Sequence, residues 1–325
     1  MKTLLRAIEK AWGLSRRGRK LSILIYHRVL PEPDPMRPAE PDARLFDNQM
    51  EILAQHTRVL PLPEAVARLQ AGALPPRATA VTFDDGYADN HLHALPILRR
   101  HGLPATFFIA TGYLNGGRMF NDTVIEAVRR APGETLDLRD RGLGYHRLDG
   151  VEERRSAAES IIRAIKYLTP QVRDASIEDL TERIGVPLPD DLMMTDGQVR
   201  GLCDAGMTVG AHTVSHPILA QVDEKQARWE IGESAERLRS LCGVPVESFA
   251  YPNGKPGRDY TDRDRALLRR AGFRLAVSTS PGAAGHGWDP FQLPRFTPWD
   301  RAPWRFLTRL ALNSGHDGVL ARSGQ

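Results

Sequence analysis

Short apolar runs alternate with amphipathic helical patterns along most of the chain. Buried strands are predicted at residues 23–26, 78–83, 105–110, 207–211, 247–251, 273–278 and 291–296. Helices are predicted at 47–56, 63–71, 88–101, 196–205, 223–241, 262–271 and 303–312. Strands that alternate with helices are typical of parallel βα units. About seven such strands favour a closed or nearly closed parallel barrel over an open sheet.

Two segments interrupt this alternation. Residues 31–41 hold five prolines and are predicted to form a loop. The stretch at about 117–195 is rich in Arg and Glu and has almost no strand signal. Its helical patterns lie at 120–130, 152–168 and 173–185. We therefore expect one domain over residues 21–312, with a mostly helical insertion.

The termini are expected to lie outside that domain. Residues 1–20 predict a basic amphipathic helix, in which Leu4, Leu5, Ile8 and Trp12 share one face. Such a helix packs on its own domain or lies on a membrane surface, and its pattern leaves both open. Its charges exclude a signal-peptide core, so we expect a cytoplasmic protein, with peripheral contact at the inner membrane face as one alternative. Residues 313–325 are expected to form a tail.

Composition adds little to this picture. The net charge is +4 and the pI is near 9.2, but basic residues do not cluster with aromatic ones, so nucleic acid is not expected as a partner. Cys203 and Cys242 lie far apart in helical patterns and form no metal-ligand spacing. We expect them to be buried free thiols of a reducing compartment.

The first candidate for chemistry is the Asp84-Asp85-Gly86 turn after an apolar strand. Two adjacent carboxylates are costly to hold there, because both are charged and partly desolvated. A metal cation removes that cost for one carboxylate and leaves the other free as a base. Gly86 lets the backbone turn sharply. The alternative interpretation is a solvated Asp-Asp-Gly turn.

The second candidate is the pair His212 and His216, which follows another predicted strand. Two imidazoles four residues apart can converge on one ion, and a carboxylate completes a His₂–Asp set. The alternative is a chance pair of surface or core histidines. In a parallel barrel the carboxyl ends of the strands meet at one mouth, so both motifs are expected there together with His27 and Asn253.

These motifs resemble those of a known family. Residues 82–86 (TFDDG), 212–216 (HTVSH) and 249–254 (FAYPNG) are similar, in this order, to motifs of the polysaccharide deacetylases, the NodB-homology domains of carbohydrate esterase family 4. Residues 25–29 (IYHRV) resemble the start of the bacterial exopolysaccharide-type branch. The resemblance implies a distorted (β/α)₇ barrel and a divalent metal ion, either zinc or another transition metal.

The resemblance also implies an activity, the hydrolysis of N-acetyl groups from amino sugars of a polysaccharide or glycan precursor. The implied setting is exopolysaccharide or cell-envelope glycan biosynthesis. Two alternatives remain open, a metal-dependent amidohydrolase acting on a non-sugar amide and a degenerate glycan-binding protein. The intact Asp84, Asp85, His212 and His216 count against degeneracy. The oligomeric state is not predicted.

Carried over residue by residue, the family pattern implies that Asp85, His212 and His216 bind the metal and that Asp84 is the general base. A backbone N–H in the segment 251–253 would hold the oxyanion. Tyr251, Pro252 and Asn253 are accordingly the expected substrate-binding residues.

The chain departs from the pattern in two places. Ala250 stands where many members have an arginine that orients the base, and residues 293–295 (LPR) stand where a histidine acid is usual. Arg295 could take over the orienting role. His27 is the first candidate for the proton donor, with a core histidine as the alternative, and His286 is the second.

Aromatic residues are candidates for sugar stacking. They are Tyr251, Trp288, Trp299 and Trp304. For Trp299 and Trp304, packing of the last helix is the simpler explanation.

Overall fold

The computed structural model describes residues 20–315, so the predicted N-terminal helix and most of the tail lie outside the described residues. The described range contains nine strands: β1 (Ser22–Tyr26), β2 (Arg58–Val59), β3 (Ala78–Phe83), β4 (Thr106–Ile109), β5 (Thr135–Leu138), β6 (Gly144–Arg147), β7 (Thr208–Ala211), β8 (Ser248–Ala250) and β9 (Leu275–Val277). It also contains ten α-helices: α1 (Ala43–His56), α2 (Leu62–Gln70), α3 (Leu95–His101), α4 (Phe120–Arg130), α5 (Val151–Ile165), α6 (Pro170–Ile184), α7 (Asp196–Asp204), α8 (Glu224–Cys242), α9 (Asp262–Arg270) and α10 (Pro303–Asn313).

The central sheet is parallel and curls towards a barrel. Its strand order is β1-β3-β4-β7-β8-β9, and β2 pairs with the first residues of β3. Successive strands of this sheet are joined through helices, which is the connection that parallel neighbours require. The predicted α/β architecture, a curled parallel sheet with many helices, is confirmed.

The segment predicted as a last strand has a less regular form. Residues 290–296 do not form a regular strand, because their backbone changes partner midway. Leu293 N–H donates to Ala276 O of β9, and Phe296 N–H donates to Ile23 O of β1. This segment therefore bridges the two edge strands.

Side chains of the strands alternate between two cores. Phe107 of β4 belongs to the larger core between the sheet and the outer helices, where its ring stacks on Phe83 at 4.7 Å between centroids. The neighbouring Phe108 points the other way, into the barrel interior with Ile23 and Ala250. This two-residue period explains the continuous apolar runs, because each strand is buried on both faces.

The insertion has a small core of its own. Helices α4, α5 and α6 pack through apolar side chains such as Val124, Ile161 and Leu180. Strands β5 and β6 pair as an antiparallel hairpin beside them. The hairpin was not predicted, because each strand has only four residues, and so short an alternation of exposed and less exposed positions does not distinguish a strand from a loop.

Buried charges join the insertion to the barrel. Arg28, which follows β1, contacts Asp89 at 2.7 Å. Arg37 from the proline-rich loop lies 2.8 Å from Asp122 of α4, and Tyr87 donates a hydrogen bond to the same aspartate. Breaking a buried pair of this kind leaves an uncompensated charge, which is strongly destabilising.

The cysteine prediction is wrong. Cys203 at the end of α7 and Cys242 at the end of α8 form a disulfide, with 5.9 Å between their Cα atoms. Helices α7 and α8 pack against each other, and this packing brings together two residues that are distant in sequence. Within residues 20–315, no helix is both long and apolar enough to cross a membrane.

Candidate active site

Asp84 and Asp85 are held by the strands on either side of β3. Asp84 N–H donates to Tyr26 O of β1, and the carbonyl of Asp85 accepts from Ala110 N–H after β4. Gly86 follows at φ 91°, and a Cβ there would lie 3.0 Å from Ile109 Cγ2. The glycine is therefore required both by its backbone conformation and by the close approach to Ile109.

The two histidines lie on a short loop after β7. His212 Nδ1–H donates to Ala250 O at 2.7 Å, which leaves Nε2 directed at Asp85. Thr213 Oγ1 accepts from His216 N–H and so closes the loop. A carbonyl partner for the outer ring nitrogen fixes the tautomer and orientation of a ligating histidine.

Asp85, His212 and His216 converge as one constellation. The Nε2 atoms of His212 and His216 lie 3.3 Å and 3.5 Å from Asp85 Oδ1. All three ligand atoms lie within 4.8 Å of one another. Donors bound to a tetrahedral zinc ion at 2.0–2.1 Å are about 3.3 Å apart, so the spacing fits. One carboxylate oxygen and two imidazole nitrogens also suit other transition metals.

The protonation states favour binding of a cation. Burial alone would raise the pKa of Asp85, but the hydrogen bond from His212 and the positive charge of neighbouring histidines outweigh it and hold that pKa below its ordinary value. Burial lowers the pKa of His216 to about 3, so its imidazole is neutral at physiological pH. Burial also opposes charge on His212, but Asp85 and Asp84 raise its pKa, and a bound cation would compete with that proton.

Asp84 forms a buried ion pair with Arg295. The guanidinium donates from Nη1 and Nη2 to the two carboxylate oxygens at 2.7 Å and 2.6 Å. Its Nε–H donates to Ser278 O, so the arginine is fixed from both ends. Burial raises the pKa of Asp84, but the charge of Arg295 outweighs burial and lowers it. Arg295 thus holds a buried carboxylate ionised and oriented.

Backbone conformations concentrate strain here. Among the described residues, six other than glycine have a positive φ, and four of these belong to the site. They are Asp85 (φ 74°), Thr213 (φ 66°), His216 (φ 53°) and Asn253 (φ 58°). Such conformations cost about 1–3 kcal/mol each and persist where the surroundings impose them.

A cavity of about 300 Å³ contains the metal set and the Asp84 carboxylate. His27 and Asn253 also line it, so both predicted residues are in the site. The remaining wall comes largely from the insertion, and its residues are Met119, Phe120, Asn121, Ile162 and Lys166. Periodicity in the sequence could not assign these residues to the site, because their contact with the barrel depends on tertiary packing.

The three expected substrate-binding residues differ in their surroundings. Tyr251 is 1% exposed, its ring stacks on Tyr260, and its hydroxyl donates to Phe291 O. The prediction that its ring stacks on a sugar is therefore wrong. Tyr251 N–H donates to Val277 O, and Pro252 has no N–H. Asn253 is then the residue of this segment whose N–H is available to a substrate.

Two other predicted residues lie at the opposite end of the barrel. They are His286 and Trp288, and the segment that precedes them pairs with the start of β1 through Ala284 and Leu21. His286 follows that pairing and is exposed. Trp288 lies beside Gly285, and Gly285 is also close to Lys20, which precedes β1. His286 as proton donor and Trp288 as sugar platform are therefore wrong, since the metal set lies at the carboxyl ends of the strands.

Packing on the last helix accounts for only part of the surface of the last two tryptophans, since the guanidinium of Arg309 of α10 lies 5.8 Å from the centroid of the Trp299 ring. Trp299 is 65% exposed and Trp304 is 41% exposed. Both line a groove of about 760 Å³ along α10. Thr279 lines this groove and the metal cavity alike, so the two spaces adjoin. Exposed indole rings beside the candidate site are available to a ligand.

Glu230 supports the histidine loop and was not predicted. It is fully buried on α8, and its carboxylate accepts hydrogen bonds from the N–H groups of Val214 and Ser215. Tyr113 also donates to the carbonyl of Ser215. A glutamate within the apolar stripe of a helix, here four residues before Ser234 and next to Ile231, was the available signal.

Comparison with known proteins agrees with this geometry. The family model for polysaccharide deacetylases matches residues 71–276. YxkH of Bacillus subtilis (strain 168) is 20% identical over 287 residues, which are 88% of this chain and 74% of that protein. The poly-β-1,6-N-acetyl-D-glucosamine N-deacetylase of Staphylococcus aureus (strain MSSA476) is 32% identical over 77 residues, 23% of this chain and 27% of that protein.

A solved structure extends the comparison to the fold. The Streptococcus pyogenes deacetylase PplD, in complex with acetate, has a TM-score of 0.59 and 20% identity, and the match covers 90% of this chain and 98% of that one. The chain belongs to the polysaccharide deacetylase family. It is accordingly a hydrolase of the class that acts on amide bonds and deacetylates glycans.

Proposed function

We propose that this protein is a metal-dependent N-deacetylase that removes acetyl groups from amino sugars of a polysaccharide or glycan precursor. One observation carries the proposal. The carboxylate of Asp84, which Arg295 keeps ionised, shares a single cavity with the Asp85, His212 and His216 ligand set. A charged base beside a cation site is the arrangement that hydrolysis of an unactivated amide requires.

Each residue of the site has its own role in the proposed hydrolysis. A divalent ion held by Asp85, His212 and His216 would supply Lewis-acid chemistry at the amide carbonyl. Asp84 accepts the proton of the attacking water, and Arg295 keeps that carboxylate ionised and correctly oriented. The N–H of Asn253 stabilises the oxyanion that forms on the carbonyl oxygen.

The leaving amine needs a proton before the carbon–nitrogen bond breaks. His27 is the proposed donor because it lines the cavity beside Asp84 and Asp85. Proton transfer from its imidazolium to the nitrogen releases the amino sugar, while the carbonyl carbon leaves as acetate. The proton taken up by Asp84 restores the imidazolium, so the cycle balances.

Zinc is the proposed ion. A His₂–Asp set with a position open to solvent is typical of catalytic zinc, although cobalt, nickel and manganese accept similar donors. Metal analysis of the purified protein, followed by removal with a chelator and reconstitution with single metals, identifies the ion.

The proposed substrate is an N-acetylated glycan. The relative from S. aureus carries the name of a poly-N-acetylglucosamine deacetylase, and the groove beside Thr279 supports a chain rather than a single sugar. Trp299 and Trp304 present flat rings on which sugars adjacent to the reacting one can stack. We propose exopolysaccharide or cell-envelope glycan biosynthesis as the setting.

The location is a separate proposal. A cytoplasmic protein, with peripheral contact at the inner membrane face as one alternative, was expected from the charges of residues 1–20. The disulfide between Cys203 and Cys242 counts against that location, since disulfides persist in oxidising compartments. Fractionation of cells that produce the full chain would decide between the cytoplasm and an oxidising compartment.

Acetate release tests the activity directly. We expect the zinc-loaded protein to release acetate from N-acetylglucosamine oligomers, and we expect the Asp84→Asn variant to bind zinc but release acetate at least about a hundredfold more slowly. His286→Gln is a matched control, because it changes a histidine at the far end of the barrel.

The alternatives give different results. Zinc binding with release only from a non-sugar amide would indicate an amidohydrolase of another kind. Glycan binding without release from any acetylated sugar would indicate a degenerate glycan-binding protein. Absence of both metal and acetate release would refute the proposed function.

A further inference from the structure

Lys166 brings a positive charge from the insertion to the candidate active site. It follows α5 and lines the metal cavity together with Ile162, one turn earlier. The side chain is neither fully buried nor fully exposed. The proposed hydrolysis of a neutral acetamide uses no such group, because Asp84 and His27 already account for both proton transfers.

Two further cations lie close to Lys166. Lys255 and Arg258 belong to the loop after β8, directly beyond Asn253, and their charges act on Lys166. The guanidinium of Arg258 lies 4.2 Å from the centroid of the Tyr167 ring, so a cation–π contact holds it beside the insertion. Lys166 Nζ lies 5.8 Å from the centroid of the same ring, so a cation of the barrel and a cation of the insertion meet at Tyr167.

These cations lack acidic partners. Within residues 20–315, no carboxylate lies within ion-pair distance of Lys166, Lys255 or Arg258, whereas the buried arginines of the insertion boundary are paired. Asp259 is the acid whose charge reaches Lys166, but it is buried, and its carboxylate accepts the backbone N–H of Lys255. Three cations against one carboxylate leave an excess of positive charge.

That excess is costly in the absence of a ligand. Burial lowers the pKa of Lys166, and the like charges of Lys255 and Arg258 add to this effect while Asp259 opposes it. An anion placed among the three cations would reverse the repulsion. Lys166 lines a cavity that already has a proposed reaction, and Lys255 and Arg258 are exposed on the loop that continues from Asn253, another residue of the cavity wall.

Asn121 provides a second, independent sign of a ligand. It lines the same cavity, at the start of α4, and its side-chain Oδ1 is buried without a hydrogen-bond partner. Buried polar atoms normally have a partner, so an unpaired amide oxygen in the wall of a cavity indicates a donor to be bound there. A sugar hydroxyl or the N–H of an acetamide can donate to this oxygen.

We propose that Lys166, Lys255 and Arg258 form a subsite for an anionic group, a phosphate or a carboxylate, carried by the N-acetylated sugar or by its neighbour. The proposal rests on the proposed function for the identity of the sugar. A phosphate would come from a sugar linked to a lipid or nucleotide carrier, and a carboxylate from a uronic acid in the glycan. A neutral homopolymer offers no group for this subsite.

Binding can be measured separately from turnover. Calorimetric titration of the zinc-loaded protein would use three probes: N-acetylglucosamine, N-acetylglucosamine 1-phosphate, and a disaccharide of N-acetylglucosamine and glucuronate. We expect at least one anionic probe to bind about tenfold more tightly than the neutral sugar. We expect Lys166→Gln combined with Lys255→Gln to bring the ratio of the dissociation constants close to one.

Arg163→Gln is the matched control, since it removes a charge from the exposed face of α5. It should leave the ratio unchanged. Equal binding of all three probes would overturn the subsite, and so would a preference that persists in the double variant, because that preference would come from the metal. The tighter anionic probe identifies the source of the charge. Acetate release by wild-type protein is the separate test of the proposed function, so the two ideas can fail independently.

Discussion

A buried carboxylate that must act as a base needs a partner to keep it charged. At the residue scale, Asp84 has this partner in Arg295, which is itself buried and anchored to Ser278 O. Desolvation raises the pKa of Asp84, and the positive charge of Arg295, together with that of His212 and the guanidinium hydrogen bonds, overcomes that effect and lowers the pKa. The arginine comes from the segment that bridges β9 and β1, so closure of the sheet and orientation of the base depend on the same residues.

Arg295→Gln should shift the pH dependence of the reaction. Without the guanidinium, the pKa of Asp84 rises. Because only the ionised carboxylate accepts a proton, activity is lost at a higher pH than in the wild type. We expect the acidic limb of the kcat/KM profile to move to higher pH, and kcat to fall at least about tenfold. Arg295→Lys keeps the charge and should give a smaller shift. An unchanged profile and kcat in the glutamine variant would disprove the orienting role.

His27→Gln tests the proton donor. If His27 protonates the leaving amine, kcat should fall about 10²- to 10⁴-fold while bound zinc per protein stays at the wild-type level. His286→Gln is the control and should behave as wild type. Normal turnover in His27→Gln would remove this residue from the mechanism and leave it as a structural histidine.

Residues that end strands were predictable, whereas side chains that meet through packing were not. Asp84, Asp85, His212 and His216 follow apolar runs directly, so barrel topology alone places them at one mouth. Arg295 was inferred from its place near the end of the last apolar run. The orientation of Tyr251 was misjudged, because a period of two cannot say which face of a strand meets the cavity and which meets Tyr260.

At the scale of elements, the histidine loop depends on helix α8. Glu230 accepts two backbone hydrogen bonds from the loop and one from the hydroxyl of Ser215. The loop contains Thr213 and His216, both with positive φ, so it needs external hydrogen bonds to keep its form. The buried carboxylate of Glu230 therefore positions His216, a residue of the metal set, without contacting it.

Glu230→Gln should weaken metal binding. The glutamine amide keeps the size of the side chain but replaces one oxygen and removes the charge, so the hydrogen bonds to Val214 and Ser215 weaken. Loss of a supporting partner typically costs about 10- to 100-fold in metal affinity, and we expect a loss in that range. Competition with a chromogenic chelator measures it. Glu233→Gln, on the exposed face of the same helix, should have wild-type affinity, and equal affinities in both variants would contradict the role of Glu230.

Elements with a long buried face were recognisable in the sequence, and very short ones were not. Strand β3 and helix α4 have strong apolar patterns because they pack on a core. The strands β5 and β6 alternate in exposure over only four residues each, which is too short to separate them from a loop. The predicted strand at 291–296 is apolar, but its backbone hydrogen-bonds first to β9 and then to β1, and it bends between these two edge strands.

At the scale of the whole molecule, barrel and insertion form a single site. The barrel supplies the metal set and the base, and the insertion supplies Asn121 and Lys166. Arg37 and Arg28 of the barrel both contact Asp122 of the insertion, at 2.8 Å and 3.8 Å, and these buried contacts hold the two parts in register. The insertion is therefore the part of the molecule in which substrate preference is expected to differ between relatives. The domain boundaries expected from the sequence stay a prediction.

The disulfide gives a prediction about both stability and compartment. A bridge that spans 39 residues of sequence restricts the unfolded chain and typically contributes about 3–4 kcal/mol to the free energy of unfolding. Protein purified without reductant and unfolded with denaturant should therefore show no reactive thiols, and two after reduction. Reduction should lower the urea midpoint of the wild type but not that of Cys203→Ser combined with Cys242→Ser. Two reactive thiols in protein alkylated at lysis would instead indicate a reducing compartment, in agreement with the cytoplasmic location expected from the charges of residues 1–20.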